Sequence, residues 1–413
     1  MRILLSALYP YMFVLLYLLL PFDDYVRALP NILFVALVAF FPFVVEKQQL
    51  RKLKSPPLVL MGIFIGFLLL NSLISGRIDT DLDVISKVLA AWVLAILYIP
   101  IADSEKIKGA IILSALAAIT FSIYNFVIIA HQTGSFALGD SPQVVESLMI
   151  DRIYLGLLCV FSILISFQRI KKTYHPLNSY YLANIAINLA FIILIASKIA
   201  IIALLGLLLV RQFYGRKKIW KYAIALFCLV GILGFYFLLK NKDYPEVKQR
   251  IPTMIHSYVS TSMTYDLRAT TWSCVNKIAA TTNSGAFGFG FEKTEEALVE
   301  CYANNIPDAE KQELFLNKRY NAHSQYLDFY LSEGWISLIL WGIFIVGSFI
   351  VIRKDRYATS MLFLLVFYCA VENMFHRQMG AYYAGAIMIA LMLAATAGKG
   401  VVHQTEEVLE NKQ

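Results

Sequence analysis

The chain has 413 residues, of which 59% are apolar and only 15% charged. A water-soluble domain carries roughly 45–50% apolar and about 25% charged residues, so a purely aqueous home is excluded and a bilayer is the simple alternative. The net charge is +8. In a soluble protein that would suggest nucleic acid, but here no nucleic-acid partner is expected, and where the cations fall along the chain carries the information.

A helix needs about 20 apolar residues to cross a bilayer. Apolar runs fall near 3–21, 29–45, 57–75, 85–102, 109–130, 153–168, 180–196, 199–214, 221–239, 335–352, 358–374 and 379–397. They predict an all-α polytopic membrane protein of about twelve transmembrane helices. The first run is followed by Pro21, Phe22, Asp23 and Asp24 with no small-residue cleavage pattern, and reads as a retained helix. Ser197-Lys198 interrupts the run from Tyr180 to Tyr214 and reads as a tight turn between two helices.

Alternate connections hold Lys47, Arg51, Lys52 and Lys54; Lys106 and Lys108; Arg169, Lys171 and Lys172; Arg211, Arg216, Lys217 and Lys218; and Arg353, Lys354 and Arg356. By the positive-inside rule these face the cytoplasm. The intervening connections hold only scattered cations: Arg27, Arg77 among three aspartates, Arg152, Lys198 and Arg377. Residues 1–239 then form helices 1–9 and 240–334 form one large loop, between helices 9 and 10, facing away from the cytoplasm. Residues 335–398 form helices 10–12, and 399–413 a cytoplasmic tail. Cys159, Cys228 and Cys369 lie in apolar runs, where cysteine packs as a small hydrophobe. Cys274 and Cys301 fall in the outward loop, in a compartment that permits disulfides, and are expected to pair; two unpaired thiols is the alternative. The cysteine and histidine spacings suggest no metal site.

Candidate chemistry gathers in the loop and at the outward helix ends. His323, in Asn321-Ala322-His323-Ser324-Gln325, precedes a helical pattern that runs into the next span. Imidazole suits a general base near neutral pH, though a histidine at a helix start also serves as a cap or surface residue. Arg268 can grip a phosphate through two donors, or pair with Asp266. Gly285, Gly288 and Gly290 lack the strand-turn-helix setting of a dinucleotide fingerprint and read as a tight turn that brings backbone near a neighbour. Arg152, Lys198 and Arg377 are either snorkelling anchors or, with Arg268, a basic site for a lipid-linked anionic group.

Together these pieces resemble the O-antigen ligase/polymerase family of membrane glycosyltransferases. His323, ten residues ahead of Gly334, resembles the family's ligase signature. Arg268 with Trp272, ahead of Gly285-Ala286-Phe287-Gly288-Phe289-Gly290, resembles its arginine segment before a Gly-x-Gly turn. Glu372-Asn373 with Arg377-Gln378 resembles a C-terminal motif of a subset of members. Ser197-Lys198 stands where many members carry Ser-Arg, which keeps the charge and loses the guanidinium fork. The resemblance implies a bacterial inner-membrane enzyme with its active site on the periplasmic side. The implied donor is a glycan on a polyprenyl (undecaprenyl) diphosphate carrier, and the implied acceptor is the lipid A-core of lipopolysaccharide. His323 would be the base, and Arg268 with Arg152, Lys198 or Arg377 would hold the diphosphate; no metal or other cofactor is implied. A polysaccharide polymerase using the same donor is the alternative within the family. A flippase or transporter of lipid-linked sugars is the alternative outside it, disfavoured because no internal repeat is visible.

Overall fold

A computed structural model of the chain describes residues 2–23, 25–26, 28–101, 103–133, 148–171, 173–214, 267–282 and 285–410. The described residues form helices α1 (Arg2–Leu19), α2 (Leu29–Val44), α3 (Pro56–Ile74), α4 (Ile78–Leu97), α5 (Glu105–Thr133), α6 (Arg152–Arg169) and α7 (Leu177–Leu194). After these come α8 (Lys198–Phe213), α9 (Leu267–Thr281), α10 (Phe291–Asn305), α11 (Ala309–Lys318), α12 (Gln325–Ile352), α13 (Arg356–Val371) and α14 (Gln378–Glu410). Every expected span has its helix except 221–239, which lies outside the described residues. Among the described residues, seven helices are long and apolar enough to cross a membrane, and α2 and α13 are shorter apolar helices. The protein is an all-α, multi-pass membrane protein.

Three helices depart clearly from their expected bounds. Helix α4 begins at Ile78, not near 85, because Asp79 and Asp81 in its first turn lower hydropathy while favouring a helix N-terminus. It ends at Leu97, shortly before Pro100, which has no N–H to continue the ladder. Helix α12 begins at Gln325, ahead of its apolar run, and bends at Gly334, whose φ is 77°. Helix α14 runs on to Glu410, past the expected end of its span at 397.

The connections sort to two ends of the bundle. At one, Arg169 Nε donates to Glu105 Oε2 (2.8 Å), Lys52 Nζ to the Ile99 carbonyl (3.2 Å) and the Tyr214 hydroxyl to the Arg353 carbonyl (2.7 Å). This basic end gathers the Lys/Arg-rich connections. The opposite end carries the starts of α4, α6, α8, α12 and α14. At the turn expected around Ser197-Lys198, α7 stops at Leu194, Ala196 takes φ 48° and α8 starts at Lys198. There α6 packs closely on α8: a Cβ on Gly156 would lie 2.7 Å from Ser197 Oγ.

The loop segment seats on this second end through backbone. Phe289 N donates to the Leu331 carbonyl (3.1 Å), Gly290 N to that of Ser332 (2.8 Å) and Trp335 N to that of Gly285 (3.3 Å). Two glycines permit so close an approach. A Cβ on Gly288 (φ 62°) would lie 2.3 Å from the Ser332 carbonyl carbon, and one on Gly334 would lie 2.2 Å from the Ala286 oxygen. No side chain fits either gap, and L-residues avoid these dihedrals. Side chains from the α3–α4 corner clamp the turn. Asn71 Nδ2 donates to the Phe287 carbonyl (2.8 Å) and to Glu333 Oε2 (2.6 Å), and Arg77 Nη1 to the Gly288 carbonyl (3.1 Å). Buried Asp81 accepts from Phe291 N at the start of α10 (2.9 Å) and from Ser72 Oγ (2.9 Å). Beyond the turn, α9, α10 and α11 pack around a small core of Val275, Leu298, Tyr302 and Phe315. The sulfurs of Cys274 and Cys301, on α9 and α10, are at disulfide distance, 2.11 Å.

Candidate active site

Helix α13 ends at Val371, and Glu372 follows in extended backbone with its N–H on the Tyr368 carbonyl (2.8 Å). Its carboxylate is 5% exposed. A buried carboxylate needs partners, and two converge on it. His323 Nδ1 lies 3.3 Å from Glu372 Oε2, and Arg268 Nη2 lies 3.8 Å from the same oxygen. Arg268 also donates from Nε to the Val371 carbonyl (3.0 Å), which ties the start of α9 to the end of α13. Burial pushes the Glu372 carboxyl up, but the hydrogen bond and charge of His323, with the charges of Arg268 and Arg377, hold it below the ordinary carboxylate value. It is therefore an anion, suited to orienting an imidazole.

The imidazole is placed by local chain geometry. His323 takes φ 45°, uncommon for a residue with a side chain, and its N–H donates to Asn321 Oδ1 (3.1 Å). Trp272 Nε1, on α9, donates to the Ala322 carbonyl (3.0 Å), so the helix that carries Arg268 also pins the peptide beside His323. Backbone held in a sparsely populated region collects at functional sites, where surrounding contacts over-determine it. With Nδ1 turned to Glu372, Nε2 is buried and has no hydrogen-bond partner among the described residues.

Behind this group lies a second imidazole–carboxylate pair. His376 Nε2 is 2.8 Å from Asp328 Oδ2, which also accepts from Gln325 Nε2 (3.1 Å). Gln325 Oε1 accepts from Phe375 N (3.0 Å), so residues 373–377 are fastened to the first turn of α12, two residues beyond His323. Burial lowers the basicity of His376, but the charge and hydrogen bond of Asp328 outweigh it, so the imidazole titrates above its ordinary value.

The sequence-expected cations separate into two groups. Arg268 joins His323 on Glu372, and Arg377 adds its charge to that carboxylate while pairing with Asp151 Oδ2 (3.0 Å) and lying over the Tyr154 ring (5.7 Å). Arg152 and Lys198 are the first residues of α6 and α8, at the same end of the bundle. Asp266, the alternative partner of Arg268, lies outside the described residues. Sequence reading missed the roles of Glu372, Asp328 and Gln325. The available signal was a carboxylate at the end of an apolar run, an expensive position unless it is partnered.

Residues 183–342 match the family model described as O-Antigen ligase. The match contains Lys198, Arg268, His323 and the Gly334 bend, and ends before Glu372 and Arg377. No curated protein matches the chain. Over residues 183–342 this multi-pass membrane protein is therefore similar to the O-antigen ligase family.

Proposed function

We propose that the chain is an O-antigen ligase, which transfers a glycan from a polyprenyl diphosphate carrier to a hydroxyl of the lipid A-core. The single observation that carries this reading is the Glu372-centred group: an imidazole oriented through Nδ1, its Nε2 left without a partner among the described residues, and Arg268 on the same carboxylate. Nε2 of His323 takes the proton of the acceptor hydroxyl. The freed oxygen electrons attack the anomeric carbon, and the bond from that carbon to the diphosphate oxygen breaks. The diphosphate leaves as an anion, and the imidazolium returns its proton to solvent. Arg268 and Arg377, with Arg152 and Lys198 at the same end, hold the diphosphate and stabilise its growing charge. Diphosphate leaves without added protonation, so one base and these cations suffice without a metal or other cofactor.

In this reading the basic end faces the cytoplasm and the site faces the periplasm across the bacterial inner membrane. The test uses purified protein with lipid-linked donor and lipid A-core acceptor, with no gradient or ATP. Product is expected, and His323→Ala should reduce its rate by about 10²–10⁴-fold. An unimpaired variant would remove His323 as the base. A polymerase would take a second lipid-linked glycan as acceptor. Gene deletion separates the two: a missing ligase leaves long polymer on the carrier lipid, and a missing polymerase leaves single repeats attached.

A further inference from the structure

At the basic end, far along the bundle from His323, α5, α6 and α7 enclose an open cavity of about 400 Å³. Its charged lining is unbalanced: Lys108, Arg169 and Lys171 face one carboxylate, Glu105, a surplus of two positive charges before His175 is considered. Glu105 is already occupied. It accepts from Arg169 Nε (2.8 Å) and Lys108 Nζ (2.9 Å), while Arg169 Nη2 donates to the Glu105 carbonyl (2.7 Å). The acid thus fixes two cations in place without cancelling the third.

The chain beside this cavity is held in place by its own hydrogen bonds. Asn178, in the first turn of α7, donates from Nδ2 to the carbonyls of Lys171 (3.0 Å) and Thr173 (3.3 Å) and accepts from Lys171 N (3.0 Å). Those bonds hold Lys171 and Thr173 against α7 and leave the Lys171 side chain exposed at the rim. Leu177 N donates to His175 Nδ1 (3.3 Å), which makes Nε2 the protonated nitrogen of the neutral ring and so a donor. A pocket of fixed N–H donors and ammonium groups with surplus positive charge selects a phosphate oxyanion.

The surroundings choose the source of that phosphate. Tyr174 and Tyr180 are 94% and 71% exposed, and Leu177 is 47% exposed, around the start of α7. Exposed tyrosine at the end of an apolar helix belongs to the headgroup level of a bilayer. Basic pockets between membrane helices take lipid headgroups. We propose that this cleft binds the headgroup of an anionic glycerophospholipid, with Lys108, Arg169, Lys171 and His175 on its phosphate and Leu177 and Tyr181 along the upper acyl chains.

The test is native mass spectrometry of the full-length, detergent-purified protein titrated with phosphatidylglycerol or phosphatidylcholine. Wild type should retain phosphatidylglycerol preferentially, and Lys171→Gln should weaken that retention about fivefold, the usual worth of one lysine at an anionic surface. Lys108→Gln combined with Lys171→Gln should abolish the preference. Because Lys171 is exposed, its single variant reads the site even if the double variant fails to fold. Equal retention of both lipids by wild type, or an unchanged preference in Lys171→Gln, overturns the proposal. Millimolar inorganic phosphate should compete with phosphatidylglycerol on wild type, and phosphate that binds wild type without displacing the lipid overturns the assignment of this cleft to a headgroup.

Discussion

Glu372 lies 49 residues from His323 in the chain and 3.3 Å from it in the fold. Replacing it with Gln keeps the shape and removes the charge that orients the imidazole. Triad-type enzymes lose much of their rate when the orienting carboxylate is neutralised, so Glu372→Gln should lower kcat by about 10²-fold or more with KM little changed. A raised KM at unchanged kcat would instead make Glu372 a substrate-binding group. Because its carboxyl is held below the ordinary value near 4.5, its contribution to stability is fully present above that value and fades as pH falls through the lower folded one. His376 runs the other way. Its folded value lies above 6.5, so the stability it adds with Asp328 is fully present below pH 6.5 and fades as pH rises through the raised one. The melting-temperature gap between wild type and His376→Gln should therefore be widest in acid and narrow in alkali, and a gap independent of pH would contradict the pairing. His323 and Arg268 were legible in the sequence because each sits in a polar loop beside recognisable neighbours. Glu372 was legible only as part of a C-terminal motif, and its partnership with them was not, because nothing local shows that the end of α13 returns to the start of α9 and the residues before α12.

At the scale of elements, the best-read feature is the Gly285–Gly290 turn, expected to bring backbone close to a neighbour and found against Ser332–Gly334. Its partner was invisible: Asn71, Arg77 and Asp81 looked like the polar end of a span and the start of a connection, yet they clamp the turn. Gly334→Ala places a Cβ on the Ala286 backbone in a left-handed conformation, where strain alone costs about 1–3 kcal/mol. Thermal unfolding in detergent should show a lower melting temperature, and the variant should lose activity because the bend sets the direction of the His323 segment. A wild-type melting curve would mean that the joint is loose. Cys274 and Cys301 close a loop of 27 residues in sequence separation, worth about 3–4 kcal/mol in the chain-entropy account. Reductant should lower the melting temperature of wild type and leave that of Cys274→Ser/Cys301→Ser unchanged; equal responses would argue against the bond.

For the whole molecule, alternating Lys/Arg content forecast two unlike ends, and the described connections sort that way. Exposed Tyr174 and Asp308 lie at opposite ends. A membrane-impermeant maleimide should label Asp308→Cys on intact spheroplasts and Tyr174→Cys only after lysis; the reverse pattern would invert the proposed orientation. Span limits were the less legible part, since α4 and α12 both extend into polar residues that hydropathy discounts but helix-end electrostatics and tertiary partners support. The Gly288–Gly334 joint also bears on engineering. Residues 285–334 cannot be exchanged for those of a relative by cutting at 285 and 334 alone, because Asn71 and Arg77 hold the turn from outside that stretch. The α3–α4 corner was cut to the same template, and a chimera that leaves it behind will present a mismatched seat.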